Sequence, residues 1–198
     1  MITIIGLGNI GSQTALALAR LGISFLELYD HDKVESHNLS SQSFDTLDLN
    51  KFKVAASKEQ LLKINPEIVV MTHENKFMGK KGSISPENIV VIAVDSMKTR
   101  KDICKSMKKN KIPFPKLLID GRMGGSQIEV HSFYSYEEWE NSFCDNPSND
   151  PCGARYICYT SMIIGAFIAN QIKRFLNNES IKKEIIFEVN NYQLLLEN

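Results

Sequence analysis

The sequence predicts an α/β fold whose mostly parallel sheet is extended by antiparallel strands in the C-terminal part. Three observations predict it. Apolar, β-rich runs alternate with helix-forming stretches as far as Asp120. The first run enters Gly6-x-Gly8-x-x-Gly11 directly, the strand–turn–helix context in which such a glycine pattern has structural meaning. Beyond Asp120 the alternation ends, and apolar segments of strand length follow with turn residues between them. The 198 residues suffice for a single domain, 1–198, with its own core, and the fold class is Rossmann-like.

The elements follow in order. Residues 2–5 are the first strand, 11–21 the first helix, and Gly22 its natural stop. Residues 25–30 form a second strand ending in an acid. A polar stretch, 31–50, is too long for a tight connection and reads as functional. Residues 51–64 carry Val54, Leu61 and Ile64 at helical spacing, and Asn65-Pro66 ends that helix. Residues 68–71 are strand three. Residues 89–94 are a fully apolar strand of the kind buried on both faces, followed by Asp95. A helix over 97–109 precedes strand five, 116–120. Residues 121–125 read as a turn and 127–133 as an antiparallel strand. Residues 136–151 read as a polar loop around Trp139, and 154–176 as a long helix. Residues 185–189 and 192–196 close the chain as a strand pair turning at Asn190-Asn191.

Composition narrows the function classes. Lys+Arg and Asp+Glu are both 23, so the formal charge is zero and nothing points to nucleic acid. The lysines from 105 to 111 read as the solvated face and end of a helix. The most apolar run, 162–169, is too short to span a bilayer, so no membrane partner is expected. Met1 leads into a core strand, not a signal peptide, and the four cysteines form no C-x-x-C pair. A cytoplasmic location and no structural zinc are the expectations.

The glycine turn points to a nucleotide. Gly6 permits a tight turn, Gly8 lets a phosphate approach the backbone, and Gly11 lets helix and strand pack closely. Asp30 stands where a ribose-binding carboxylate belongs. In an open sheet of order three-two-one-four-five, Asp95 and the glycine turn face each other across the ligand crevice, with the polar stretch able to cover it. Taken singly, Lys53 reads as a solvated helix lysine and Asp95 as a helix N-cap.

The stretch Asp30-His31-Asp32-Lys33-Val34, followed by Asn38-Leu39-Ser40-Ser41-Gln42, resembles the ThiF/MoeB family, bacterial relatives of the ubiquitin-activating enzymes. Lys53, Asn65-Pro66, Asp95 with Arg100, and Asp120-Gly121-Arg122-Met123 continue the resemblance through essentially the whole chain. It implies an ATP-dependent adenylyltransferase that joins AMP to the C-terminus of a small ubiquitin-like or sulfur-carrier protein, working with Mg²⁺ as a homodimer. It also implies roles. Gly6, Gly8 and Gly11 would cradle phosphate, and Asp30, with Asp32 beside it, would bind the nucleoside. Asn38, Gln42 and Lys53 would contact the triphosphate, and Asp95 would hold the metal. Cys152, with Cys144 as a second candidate, could form a thioester or persulfide after adenylation. The sequence departs from the family in two places. Ser41 stands where the family has an arginine, with Arg122 or Lys51 as stand-ins, and the helical arm usual before strand one is expected to be missing. Two alternatives follow: a catalytically inactive nucleotide-binding scaffold subunit, and an NAD-dependent oxidoreductase, which would leave the polar stretch and Lys53 unexplained.

Overall fold

The computed structural model describes residues 1–143 and 158–197. Its strands are β1 (Ile2–Ile5), β2 (Phe25–Tyr29), β3 (Val69–His73), β4 (Ile89–Ile92), β5 (Leu117–Gly124), β6 (Gln127–Phe133), β7 (Glu184–Glu188) and β8 (Gln193–Glu197). They form one sheet of order β3-β2-β1-β4-β5-β6-β7-β8. The first five are parallel to one another, and β6, β7 and β8 are antiparallel additions. The expected order and the switch from parallel to antiparallel are both observed.

The helices are α1 (Asn9–Arg20), α2 (Lys53–Ile64), α3 (Met97–Lys109), α4 (Tyr136–Asn141) and α5 (Cys158–Leu176). One face of the sheet packs Ile4, Leu28, Val91 and Ile119 against Leu18 of α1, Leu61 of α2 and Ile168 of α5. The other packs Ile5, Val90, Ile92 and Leu118 against Ile103 and Met107 of α3 and Trp139 of α4. This is why β4 is apolar throughout: every one of its side chains is buried on one face or the other. Each such residue contributes about 1.5–3 kcal/mol by leaving water.

Three expectations are corrected. The turn assigned to 121–125 is strand: β5 continues to Gly124, and Arg122 pairs with Glu129 of β6. The long antiparallel partner supplies hydrogen bonds that carry β5 past its glycines. The loop assigned to 136–151 begins as α4, capped by the Ser135 hydroxyl, which accepts the Glu138 N–H. Burial of Trp139 anchors that short helix. The connection between β7 and β8 has four residues rather than two, with Tyr192 at φ +54°.

Candidate functional site

The ends of β1, β2 and β4 lie side by side, Ile5 opposite both Tyr29 and Ile92. The glycine turn leaves β1 there. Gly6 has φ +93°, and a Cβ on it would come 2.7 Å from the Ala93 carbonyl oxygen, so only glycine fits between the strand ends. A Cβ on Gly11 would overlap the Gly6 carbonyl oxygen, which lets α1 start tight against the turn. At Gly8 a Cβ would meet nothing within 4 Å, so the outer side of the turn is open. Gly8 is also the N-cap of α1; it supplies no side-chain cap, and the first turn holds no acid. An uncapped helix start with its dipole directed outward suits an anion.

Asp30 braces this turn. One carboxylate oxygen accepts the Leu7 N–H at 2.6 Å and the other the Asp32 N–H at 2.8 Å. Carboxylate oxygens can accept further bonds, so the brace does not preclude a hydroxyl donor. Asp32 and Lys53 meet: Nζ lies 3.2 Å from Asp32 Oδ2, and the Lys53 N–H donates to the Asp32 carbonyl. The reading of Lys53 as a solvated lysine fails, because its side chain is only 7% exposed against 51% for Asp32. His31 Nε2 lies 3.3 Å from Asp32 Oδ1. Asp30, His31 and Asp32 offer ligand atoms within 4.8 Å of one another.

The polar stretch forms two short 3-10 helices, Ser36–Ser40 and Thr46–Asp48, folded back over α1. Asn38 is buried and its carboxamide oxygen caps the first of them, accepting the Glu35 N–H at 2.9 Å. Ser41, 3% exposed, donates to the Asn9 carboxamide oxygen at 2.9 Å. The Ser43 N–H donates to the Ser12 hydroxyl. Gln42 Oε1 is buried without a hydrogen-bond partner among the described residues, an acceptor that a ligand donor could satisfy.

Asp95 is exposed, and the reading of it as a helix cap fails. The cap of α3 is Ser96, whose hydroxyl accepts the Thr99 N–H. The Asp95 carboxylate is therefore not consumed by the helix. Arg100 is buried instead: Nε donates to Asp120 Oδ1 at 2.8 Å and Nη2 to the Gly121 carbonyl at 2.7 Å. Arg122 donates to Asp120 Oδ2 and to Ser142, and the Trp139 indole N–H also reaches Asp120. Burial alone would raise the Asp120 pKa, but the two guanidinium groups outweigh it and hold the carboxyl below its ordinary range.

The stand-in cations are thus engaged elsewhere. Arg122 serves Asp120, and Lys51 pairs with Glu59 at 2.6 Å. Cys152 and Cys144 lie outside the described residues. Cys104 packs in the core, where burial, with Glu140 nearby, pushes its thiol up to about 12. Sequence reasoning missed Asn9 and Ser12, which tie the polar stretch to the glycine turn. The open backbone at Gly8, the orphaned Gln42 acceptor and the buried Lys53 ammonium fit a nucleotide. The unengaged Asp95 carboxylate fits a divalent cation, whose hard-ligand preference is for oxygen.

The sequence model of the ThiF family matches residues 1–197. The sulfur carrier protein ThiS adenylyltransferase of Escherichia coli (strain K12) is 34% identical over 105 residues, 52% of this chain and 42% of that protein. Ubiquitin-like modifier-activating enzyme 5 of Drosophila mojavensis is 32% identical over 127 residues, 56% of this chain and 31% of that protein. Among solved structures, E. coli MccB crystallised with ATP superposes on all of this chain and 63% of its own, with a TM-score of 0.76 at 19% identity, a likeness of fold. The chain spans less than half the length of these two curated relatives.

Proposed function

The chain belongs to the ThiF family, and on that premise we propose that it is an ATP-dependent adenylyltransferase acting on the C-terminal carboxylate of a small ubiquitin-like or sulfur-carrier protein. The observation that carries the reading is the buried Lys53 ammonium held by Asp32 beside the open glycine turn. Taking an ammonium out of water is costly, and an anion arriving there offsets that cost.

In this reading the chain 1–198 is one nucleotide-binding unit. Gly6, Gly8 and Gly11 shape the backbone around phosphate, and Asp30 takes the ribose while bracing the turn. Lys53 shifts from Asp32 to the triphosphate, and Gln42 receives a donor from the nucleotide. Asn38 acts through the shape of the polar stretch, since its carboxamide oxygen is already a cap. Asp95 would hold Mg²⁺, which supplies neutralisation of phosphate charge. A carrier carboxylate oxygen attacks the α-phosphorus, the bond to pyrophosphate breaks, and an acyl adenylate forms. The chain's contribution is in-line positioning and charge stabilisation. This step does not need Cys152, whose place in the proposal is after it. The protein works as a cytoplasmic homodimer in this proposal, and sedimentation tests that part.

The scaffold reading has one observation in its favour. Ser41 faces Asn9, so the polar stretch brings no cation to the nucleotide at that position. Exchange of labelled pyrophosphate into ATP, driven by a small ubiquitin-like or sulfur-carrier protein, separates the two. Asp95→Asn should nearly abolish exchange while ATP binding, measured by calorimetry, falls less. Equal background rates in wild type and variant, with ATP still bound, would leave the scaffold reading standing. Binding of NAD in place of ATP would overturn both.

A further inference from the structure

Nine of the chain's 23 basic residues are the lysines at 76, 80, 81, 98, 101, 105, 108, 109 and 111. The two segments that hold them are far apart in sequence but bonded together in the fold. The Ser106 hydroxyl donates to the Met78 carbonyl, and the Asn110 amide donates to the Gly79 carbonyl at 2.8 Å. Gly79, at φ +54°, makes the bend that lays the segment on α3. The exposed Lys80 and Lys81 thereby follow directly on a segment held to the C-terminal half of α3, which carries the exposed Lys105 and Lys109. Like charges brought together this way cost stability. Among the described residues, Asp102 pairs with Lys98 and Glu140 with Lys108, both at 2.7 Å. A chain of zero net charge has no general need for such a concentration.

We propose that this lysine face, formed by α3 and the 76–81 segment, docks an acidic surface of a small partner protein. The identity of that partner as the carrier rests on the adenylation reading. Two features favour a protein over nucleic acid. The cations are lysines on a convex helix, with no arginine fork and no exposed aromatic ring among them for stacking on bases. Asp102 and Glu140 also stand inside the face, where they would repel a continuous phosphate backbone but can be skirted by a patterned acidic surface. The geometry suits a carrier with a tail. The helix α3 begins just after Asp95, and Lys105 lies about 15 Å from it along the helix. An extended tail of about five residues covers that span.

The test uses two probes, a fluorescein-labelled decaglutamate peptide and a labelled short DNA duplex, titrated by anisotropy at low and moderate salt. Decaglutamate should bind wild type, and the variant Lys80→Glu/Lys105→Glu/Lys109→Glu should bind it about tenfold or more weakly, because each reversal acts within a Debye length. The neutral set Lys80→Gln/Lys105→Gln/Lys109→Gln should give a smaller loss, and ATP binding should be unchanged in both. Failure of decaglutamate to bind wild type, equal binding by the variants, or tighter binding of the duplex would each overturn the proposal. Intact decaglutamate binding without carrier-dependent pyrophosphate exchange would count against adenylation alone.

Discussion

Replacing Lys53 by methionine should separate catalysis from stability. The Lys53 Nζ sits 3.2 Å from Asp32 Oδ2, with the lysine side chain 7% exposed and the aspartate 51%. Water screens a carboxylate that open, so the pair contributes at most about 1 kcal/mol. Methionine keeps the packing of the stem and removes an ammonium whose burial is costly, which offsets part of that loss. A net change of about 1 kcal/mol moves Tm by about 2–4 °C in a chain of this size. Turnover should respond differently. One preorganised contact to developing phosphate charge typically carries about 2.7–4 kcal/mol, or about 10²–10³ in rate. ATP affinity should fall by less, because the charge grows as the carboxylate attacks. Thermal unfolding by circular dichroism, calorimetry with ATP and carrier-driven pyrophosphate exchange measure the three quantities on the same preparations. Exchange at the wild-type rate in Lys53→Met would refute the reasoning. So would a collapse of Tm large enough to account for the lost turnover.

Asp120→Asn leaves Arg100 and Arg122 without their shared carboxylate, and chemical denaturation should register a loss of about 3–5 kcal/mol near neutral pH. The Asp120 pKa is depressed in the fold, so its contribution is present above the unfolded value and lost as pH falls through the folded one. The gap between wild type and Asp120→Asn should therefore narrow below about pH 4, the ordinary aspartate value. Gly11→Ala should push the glycine turn away from α1, since its Cβ would overlap the Gly6 carbonyl oxygen; calorimetry should detect ATP binding weakened at least about tenfold, a loss of about 1.4 kcal/mol. Ser41→Arg, which restores the cation usual in the family, reads from the sequence as neutral or favourable to rate. The structure reverses that expectation: Ser41 is buried on Asn9, so the larger side chain should lower stability by about 1–3 kcal/mol in a denaturation titration and lower the exchange rate with it.

The order of the elements was legible in the sequence because it depends on local patterning. The strand–glycine–helix run at 2–20, the wholly apolar strand at 89–92 and the stop at Asn65-Pro66 each declare themselves within a few residues. The Rossmann-like reading placed the sheet order, and the change of pattern beyond Asp120 placed the switch to antiparallel strands; both are observed. The structure alone decided which side chains are spent on holding the fold and which are left for a ligand. Asp95 looked like a cap until Ser96 was found to be the cap. Lys53 looked solvated until the polar stretch closed over it. Arg122 looked available as a stand-in cation until Asp120 was found to hold it together with Arg100. Ser41 looked like a missing charge, and it is a buried strut between the polar stretch and the glycine turn. The lysines from 105 to 111 read as an ordinary solvated run until the fold bonded the 76–81 segment to α3. In every case the deciding partner lies on another element. Periodicity reports which face of a helix or strand is apolar, because that is a property of neighbouring residues. Whether a charged or polar side chain is consumed depends on contacts across the chain, and only packing sets those.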